Sequence, residues 1–160
     1  MDNNDILRRI RYAFDFNDSK MISIFAQAGH ITTRAEISNW LKKDDSPDFS
    51  SLYDKQLATF LNGLINEKRG KRDGEQPVPE KKLNNNIVFR KLKIALNLRD
   101  HEILEMLDLA DITISKHELS AFFRNPEQSQ YRTCKDQILR KFLQGIMIKH
   151  REHKSQKPKE

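Results

Sequence analysis

Side chains suited to covalent or metal chemistry are few and isolated in this 160-residue sequence. The single cysteine, Cys134, has no histidine beside it, and we expect it to be buried as a small apolar residue. His117 begins an H-E pair like that of the helical HExxH zinc motif, but Ala121 stands where the second histidine is required. His150 and His153 lie among basic residues near the C-terminus, where we expect solvated side chains. We therefore predict no catalytic residue, no cofactor and no bound metal.

Basic side chains offer a different chemistry, the recognition of phosphate or carboxylate groups. Two stretches, residues 3–14 and 84–96, each carry an asparagine followed by basic residues at helical spacing. The predicted outward faces comprise Asn4, Arg8 and Arg11 in the first stretch and Asn86, Arg90 and Lys93 in the second. The alternative is that both faces are ordinary solvated helix surfaces, with Asn3 or Asn4 and their counterparts in the second stretch serving as N-caps.

A helix-turn-helix pattern lies in residues 21–43, where a short Gly-containing turn joins two amphipathic segments. The second segment and its later equivalent carry basic and hydroxyl residues at every fourth position: Arg34, Ser38 and Lys42, then Lys116, Ser120 and Arg124. Such a stripe could contact phosphates and groove edges of nucleic acid. Two features oppose this interpretation: Asp111 replaces Gly29 in the later equivalent, and Glu36 and Glu118 lie near the end that would read the bases.

These motifs occur twice because the chain is duplicated at an offset of 82 residues. The offset aligns F-L-N-G at 60–63 with F-L-Q-G at 142–145. It also aligns many identical single residues of the two copies, from Asn3 in the first copy to Gly145 in the second. We assign residues 1–69 to a first helical repeat, 70–83 to a linker rich in Gly, Pro and charge, 84–150 to a second repeat, and 151–160 to a basic flexible tail.

Apolar periodicity predicts four helices in each repeat, and no alternating strand pattern is present. Asp18 and Asp100 are predicted to cap the second helices, and T-R-A-E and S-K-H-E are capping boxes of the third. Gly63 and Gly145 fall inside the fourth helices, where glycine costs about 1 kcal/mol relative to alanine, so close helix approach is expected there. The predicted fold is all-α, two tandem homologous four-helix repeats packed together.

Composition favours a soluble protein of a reducing cytosol. One cysteine excludes an intramolecular disulfide, and neither a basic leader nor an apolar run of membrane-spanning length is present. The net charge is +6, and the segment from Lys149 onward, with five basic and two acidic residues, supplies half of it. The remaining body is only weakly basic, so charge alone does not indicate a nucleic-acid partner.

Four segments are distinctive when taken together: N-D-I-L-R-R-I-R-Y-A-F, W-L-K-K-D-D, F-L-N-G-L-I-N-E-K-R-G-K and L-N-N-N-I-V-F-R-K-L-K-I-A-L. They resemble the YehS-like family of small bacterial proteins, a duplicated domain of unknown function, and the resemblance covers nearly the whole chain. It implies a bacterial, cytoplasmic, helical protein with two repeats, and it implies no activity.

Two functional hypotheses follow. The first is a non-enzymatic protein that binds nucleic acid through the paired basic faces and third helices. The second is a protein interaction adaptor that receives its partner in a groove between the repeats or at the Gly-bearing fourth helices. We expect neither a membrane nor a small-molecule substrate, and an enzyme ranks third.

Overall fold

The computed structural model describes residues 1–71 and 73–155, and every regular element in them is an α-helix. In chain order the helices are α1 Asn3–Phe14, α2 Asp18–Gln27, α3 Arg34–Leu41, α4 Asp54–Arg69, α5 Asn85–Leu96, α6 Asp100–Leu109, α7 Lys116–Phe122 and α8 Asp136–Ser155. Four helices fall in each repeat, so the predicted all-α fold with two tandem four-helix repeats is confirmed.

Side-chain capping sets where most of these helices begin. The capping boxes at Thr33 and Ser115 form as predicted, each with a glutamate three residues on. The second helices differ from prediction by one residue. Asn17 caps α2, and the Arg99 amide at the start of α6 donates to a glutamate carboxylate, so Asp18 and Asp100 are first helical residues instead. Their negative charge there complements the helix dipole.

The repeated asparagines hold the loop between the third and fourth helices. Asn4 is buried, and its amide donates to the backbone oxygens of Trp40 and Ser50, both at 2.9 Å, while its oxygen accepts from the Leu52 amide at 3.0 Å. Asn86 makes the same three bonds in the second repeat. The prediction that these asparagines face outward is therefore wrong, because the loop folds back over the helix start and its polar backbone groups require partners.

They are not N-caps either. Asp2 and Asn84 accept hydrogen bonds from amides three residues on and cap α1 and α5. Asn4 and Asn86 thus recur because each anchors this loop, a structural role present in both repeats.

The two repeats interlock, because the first helix of each packs mainly on the fourth helix of the other. α1 lies along α8, and α5 lies along α4. Equivalent polar contacts close the two seams: the Met1 ammonium donates to Asp136 and the Leu83 amide donates to Asp54, both at 2.8 Å. The chain therefore has two related seams, α1–α8 and α4–α5.

Glycine allows the second and fourth helices of each repeat to touch. A Cβ atom added to Gly63 would collide with the backbone oxygen of Ile24 in α2, and one at Gly145 would collide with that of Met106 in α6. The predicted close approach is confirmed in both repeats. Buried side chains from all eight described helices then form one continuous core, so the two repeats do not have separate cores.

The last helix extends beyond the predicted end of the second repeat, since α8 continues to Ser155. His150 is half-buried with its ring 6.1 Å from that of Phe14, which differs from the solvated position expected for it. The Arg151 guanidinium lies 4.7 Å from the centroid of the Tyr12 ring. Residues 156–160 of the predicted tail lie outside the described residues.

Candidate functional site

An open groove runs along the α1–α8 seam and encloses about 600 Å³. We call it the open groove. Five basic residues surround a floor that is largely apolar, and the lining consists of Arg8, Arg9, Arg11, Tyr12, Leu41, Arg140, Lys141, Leu143, Gln144 and Met147. Leu143 is buried, Leu41 and Met147 are half-buried, and Tyr12 is 57% exposed. The groove thus combines positive charge with apolar surface at the junction of the two repeats.

Three of the five cations in the open groove have no hydrogen bond or ion pair within the described part of the chain: Arg9, Arg140 and Lys141. In addition, the Nε atom of Arg11 is buried without a hydrogen-bond partner among the described residues. Arg8 differs, because it donates to the Lys42 carbonyl at 2.7 Å and pairs with Asp5. Like charges gathered around a groove repel one another, so a bound anionic group would lower the electrostatic energy there.

The α4–α5 seam holds an equivalent groove at the 82-residue offset, and the linker covers it. We call it the covered groove. The Glu80 carboxylate lies 2.9 Å from the Lys91 ammonium, which also donates to Asn62 at 2.6 Å. Nearer the end of α4, the Asn66 amide donates to Gln76 at 2.7 Å. The chain therefore lays its own Pro-containing linker across one of the two grooves, and the carboxylate of that linker meets the groove cation.

The predicted basic faces of the first helices divide between these two seams. Arg8 and Arg90 play the same structural role, because each donates to a carbonyl at the end of a third helix. Arg90 donates to the Phe123 carbonyl at 3.2 Å, and Arg8 donates to the Lys42 carbonyl, one residue beyond the position equivalent to Phe123. Lys93 pairs with Asp100 at 3.2 Å and lies 4.5 Å from the Phe123 ring. Its equivalent, Arg11, contributes to the open groove.

The predicted stripes on the third helices are only partly available to a ligand. Arg34, Ser38 and Lys116 are exposed, and Ser120 is half-buried. Lys42 is occupied by Asn39 and Asp48 at 3.1 and 3.5 Å, and Arg124 donates to Gln130. The third helices thus present one exposed cation each, Arg34 and Lys116, beside a capping glutamate.

Cys134 and the histidines considered for catalytic or metal chemistry are not among the residues that line the open groove. Cys134 is buried, as predicted, and burial raises the pKa of its thiol to about 12. His117 and His153 are exposed on different helices. In the described ranges no group of three or more His, Cys, Asp or Glu residues is arranged to hold a metal ion. No helix in those ranges has the length and apolar character needed to cross a membrane.

Sequence reasoning assigns Arg8 and Arg11 to a binding face but gives no role to Arg9, Arg140 or Lys141. The missing signal lies in where the repeats differ. Arg140 and Lys141 replace Ala58 and Thr59 at the 82-residue offset, so the open groove gains two cations that its equivalent lacks.

Comparisons with known proteins agree with the duplication. A family model described as "Protein of unknown function (DUF1456)" matches residues 3–70 and again residues 85–152. The "Uncharacterized protein YehS" of Escherichia coli (strain K12) is 41% identical over 144 residues, covering 89% of this chain and 92% of that protein. No solved structure matches the chain significantly. On the evidence of two family matches that fill both repeats, the chain belongs to the DUF1456 family of proteins of unknown function.

Proposed function

We propose that this chain is a non-enzymatic bacterial binding protein whose open groove receives a segment of a partner protein. One observation carries the proposal: three cations that make no hydrogen bond or ion pair within the described residues stand around an apolar floor at the seam between the repeats. The excess of cations in the groove favours an acidic ligand, and the apolar floor favours a ligand with carbon-rich surface. A peptide segment offers both properties along an extended length.

The covered groove supports a peptide over other ligands. There, the equivalent surface is occupied by a stretch of polypeptide. An ion pair between Glu80 and Lys91 holds it, together with a hydrogen bond from the Asn66 side-chain amide to Gln76. A nucleic-acid backbone would satisfy the cations but would leave the floor around Tyr12 and Met147 without apolar partners. The proposal thus selects the adaptor hypothesis and places the partner in the groove between the repeats.

Site-specific crosslinking in bacterial cells tests this proposal. A photoreactive amino acid at Gln144, in the groove, is compared with one at Glu105, an exposed position of α6. We expect a discrete protein adduct from Gln144 that is absent from Glu105 and lost when Arg9→Glu is added. The protein identified in the adduct, once purified, should bind the wild-type chain about tenfold more tightly than the Arg9→Glu chain.

Three results contradict the proposal. They are the same adducts from both positions, an adduct that survives Arg9→Glu, and nucleic acid in place of protein at Gln144.

Nucleic-acid binding through the third helices is the second candidate function. The observation that favours it is the exposure of Arg34 and Lys116 at equivalent positions, neither with an internal partner among the described residues. Fluorescence anisotropy with duplex DNA, single-stranded DNA and RNA over a range of salt tests it. A specific role requires binding below about 100 μM that weakens log-linearly with salt and is lost in the Arg34→Glu, Lys116→Glu double variant. Binding that depends on residues 156–160 alone would contradict it.

The state of the Cys134 thiol supports the non-enzymatic part of the proposal. With a pKa near 12 the Cys134 thiol is protonated at neutral pH, so it lacks the thiolate that nucleophilic chemistry needs. A free, buried cysteine also suits a reducing cytoplasm, where we place the protein.

A further inference from the structure

The linker provides a guide to the chemistry of the groove partner. Three contacts fix its course along α4. Near the end of the helix, Gln76 accepts a hydrogen bond from Asn66. In the middle, Glu80 pairs with Lys91, which also donates to Asn62, and at the start the Leu83 amide donates to Asp54. The linker therefore runs antiparallel to α4, from the end of the helix back to its beginning. Pro77 lies between the first two points in the sequence, and it lines one cavity together with Ile65 and Ile94.

The open groove repeats this surface with the same register. At the 82-residue offset Lys91 corresponds to Arg9, Asn62 to Gln144, Ile65 to Met147 and Ile94 to Tyr12. A cation and a neighbouring amide thus stand where the Glu80 carboxylate is held, and apolar side chains stand where Pro77 lies. Arg9 makes no ion pair within the described residues, whereas Lys91 is paired with Glu80.

The charge of the two grooves differs one helical turn further toward the start of the fourth helix. Lys81 and Lys82 follow Glu80 and pass α4 between the levels of Asn62 and Asp54, a stretch that includes the uncharged pair Ala58-Thr59. The open groove has Arg140-Lys141 at the equivalent place. Two lysines in a bound segment would lie beside Arg140 and Lys141 at this place, and repulsion between the like charges would disfavour binding.

We propose that the open groove binds an extended, Pro-containing acidic segment of a partner protein, antiparallel to α8. A proline or other apolar residue rests on Tyr12 and Met147, a carboxylate three residues later meets Arg9, and one or two further acidic residues meet Arg140 and Lys141. This inference rests on the proposed function and specifies the partner segment.

The segment has a defined limit. In the covered groove the linker continues to Leu83, whose amide binds Asp54. In the open groove the equivalent Asp136 is already bound by the Met1 ammonium. The partner segment therefore ends or turns away after the acidic residues, which gives a bound stretch of about seven residues when the linker spacing is kept.

Three synthetic peptides test the inference by isothermal titration calorimetry against the full chain. One has the linker sequence of residues 75–82, Glu-Gln-Pro-Val-Pro-Glu-Lys-Lys; the second ends in Glu-Glu-Glu and the third in Gln-Gln-Gln. We expect the Glu-Glu-Glu peptide to bind about tenfold more tightly than the Gln-Gln-Gln peptide, and the Lys-Lys peptide to bind more weakly than Glu-Glu-Glu.

Matched variants assign the binding to named residues. Arg9→Gln should weaken binding of the Glu-Glu-Glu peptide by about tenfold, whereas Arg99→Gln, at an exposed position before α6, should leave it unchanged. The double variant Arg140→Ala, Lys141→Thr gives the open groove the residues of the covered one. It should remove the preference for Glu-Glu-Glu over Lys-Lys while keeping the dependence on Arg9. A chain ending at Ser155 serves as a further control.

Outcomes separate this inference from the proposed function. Equal binding of all three peptides, or binding insensitive to Arg9→Gln, overturns the acidic-segment inference. An affinity that rises about tenfold on removal of residues 156–160 also overturns it, because the chain's own tail would then be the occupant. If no peptide binds but Gln144 still crosslinks to a protein in an Arg9-dependent manner, the proposed function stands and only the partner chemistry is wrong. Displacement of the peptide by RNA at equal charge concentration would contradict both.

Discussion

The open groove and the covered groove are one structure built twice, yet among the described residues the linker crosses only the covered one. Their frameworks correspond helix for helix: α1 on α8 and α5 on α4, each closed by an aspartate at the start of the fourth helix. They differ in surface charge and in the presence of the linker, where Glu80 meets Lys91. Duplication thus preserves the scaffold, while the surfaces over the two seams have become different.

This difference separates structural residues from candidates for function. Features present in both repeats, such as the asparagine anchors and the arginines that bind third-helix carbonyls, are explained by folding. Features of one repeat alone, such as Arg140 and Lys141, make no hydrogen bond or ion pair inside the described chain. In a duplicated fold, asymmetry between equivalent positions is therefore the stronger indicator of binding.

The largest expected effects test whether the scaffold is equivalent under both seams. Gly63→Ala and Gly145→Ala each place a Cβ atom against the backbone of the second helix, where no flexible side chain can move aside. We expect each to lower the free energy of unfolding by about 3 kcal/mol, measured by urea denaturation. A surface substitution such as Glu105→Ala is the control. Tolerance at one glycine only would break the equivalence.

Asparagine anchors should give the next largest effects. Asn4→Ala and Asn86→Ala each leave a buried amide and two carbonyl oxygens without partners. The expected loss is about 2 kcal/mol at either site, again from urea denaturation. Asn3→Ala, which removes the half-buried neighbour, should cost less. If the losses in free energy of unfolding for Asn4→Ala and Asn86→Ala differ by more than the loss caused by Asn3→Ala, the two loops are held differently.

A smaller effect is expected from detaching the linker. Glu80→Gln removes the ion pair with Lys91, and partly exposed pairs of this kind contribute about 0.5 kcal/mol. Global stability should hardly change, but the backbone amides of Gln76, Val78 and Glu80 should exchange hydrogen faster, as followed by mass spectrometry. Exchange around the open groove is the internal reference. Unchanged exchange in the linker would mean that Glu80 is not what holds it.

The smallest predicted effect concerns acid. The Met1 ammonium and the Asn85 amide bind Asp136 and hold the pKa of its carboxyl below the ordinary value of 3.8. Because the folded pKa is the lower one, this stabilisation is present above pH 3.8 and is lost as pH falls through the folded pKa. Melting temperatures of the wild-type and Asp136→Asn chains should differ by about 2 °C at pH 6 and converge toward pH 2. A constant difference would exclude the ion pair as its source.

Local patterns in the sequence predict much of this scaffold. Apolar stripes, the boxes at Thr33 and Ser115, and the glycines of the fourth helices depend on spacing within one helix or on strong conformational preferences. The mistaken assignments of Asn4 and Asn86 have a nonlocal cause, since only the returning loop supplies the groups that they bind.

The site was harder to predict because it depends on which helices are neighbours. The apolar stripes of α4 and α8 are alike, so the sequence does not show that α1 lies on α8 rather than on α4 of its own repeat. Only that pairing brings Arg9 opposite Arg140 and Lys141. The chemistry of the groove therefore follows from long-range packing.

The crossed pairing of first and fourth helices also has a consequence for synthesis on the ribosome. α1 leaves the exit tunnel first, but its principal packing partner, α8, is the last helix to be made. Until then, the apolar stripe of Ile6, Leu7 and Ile10 has no complete burial site. The α1–α8 seam therefore cannot form before α8 has been made, and its closure depends on a contact between helices more than 120 residues apart in the sequence.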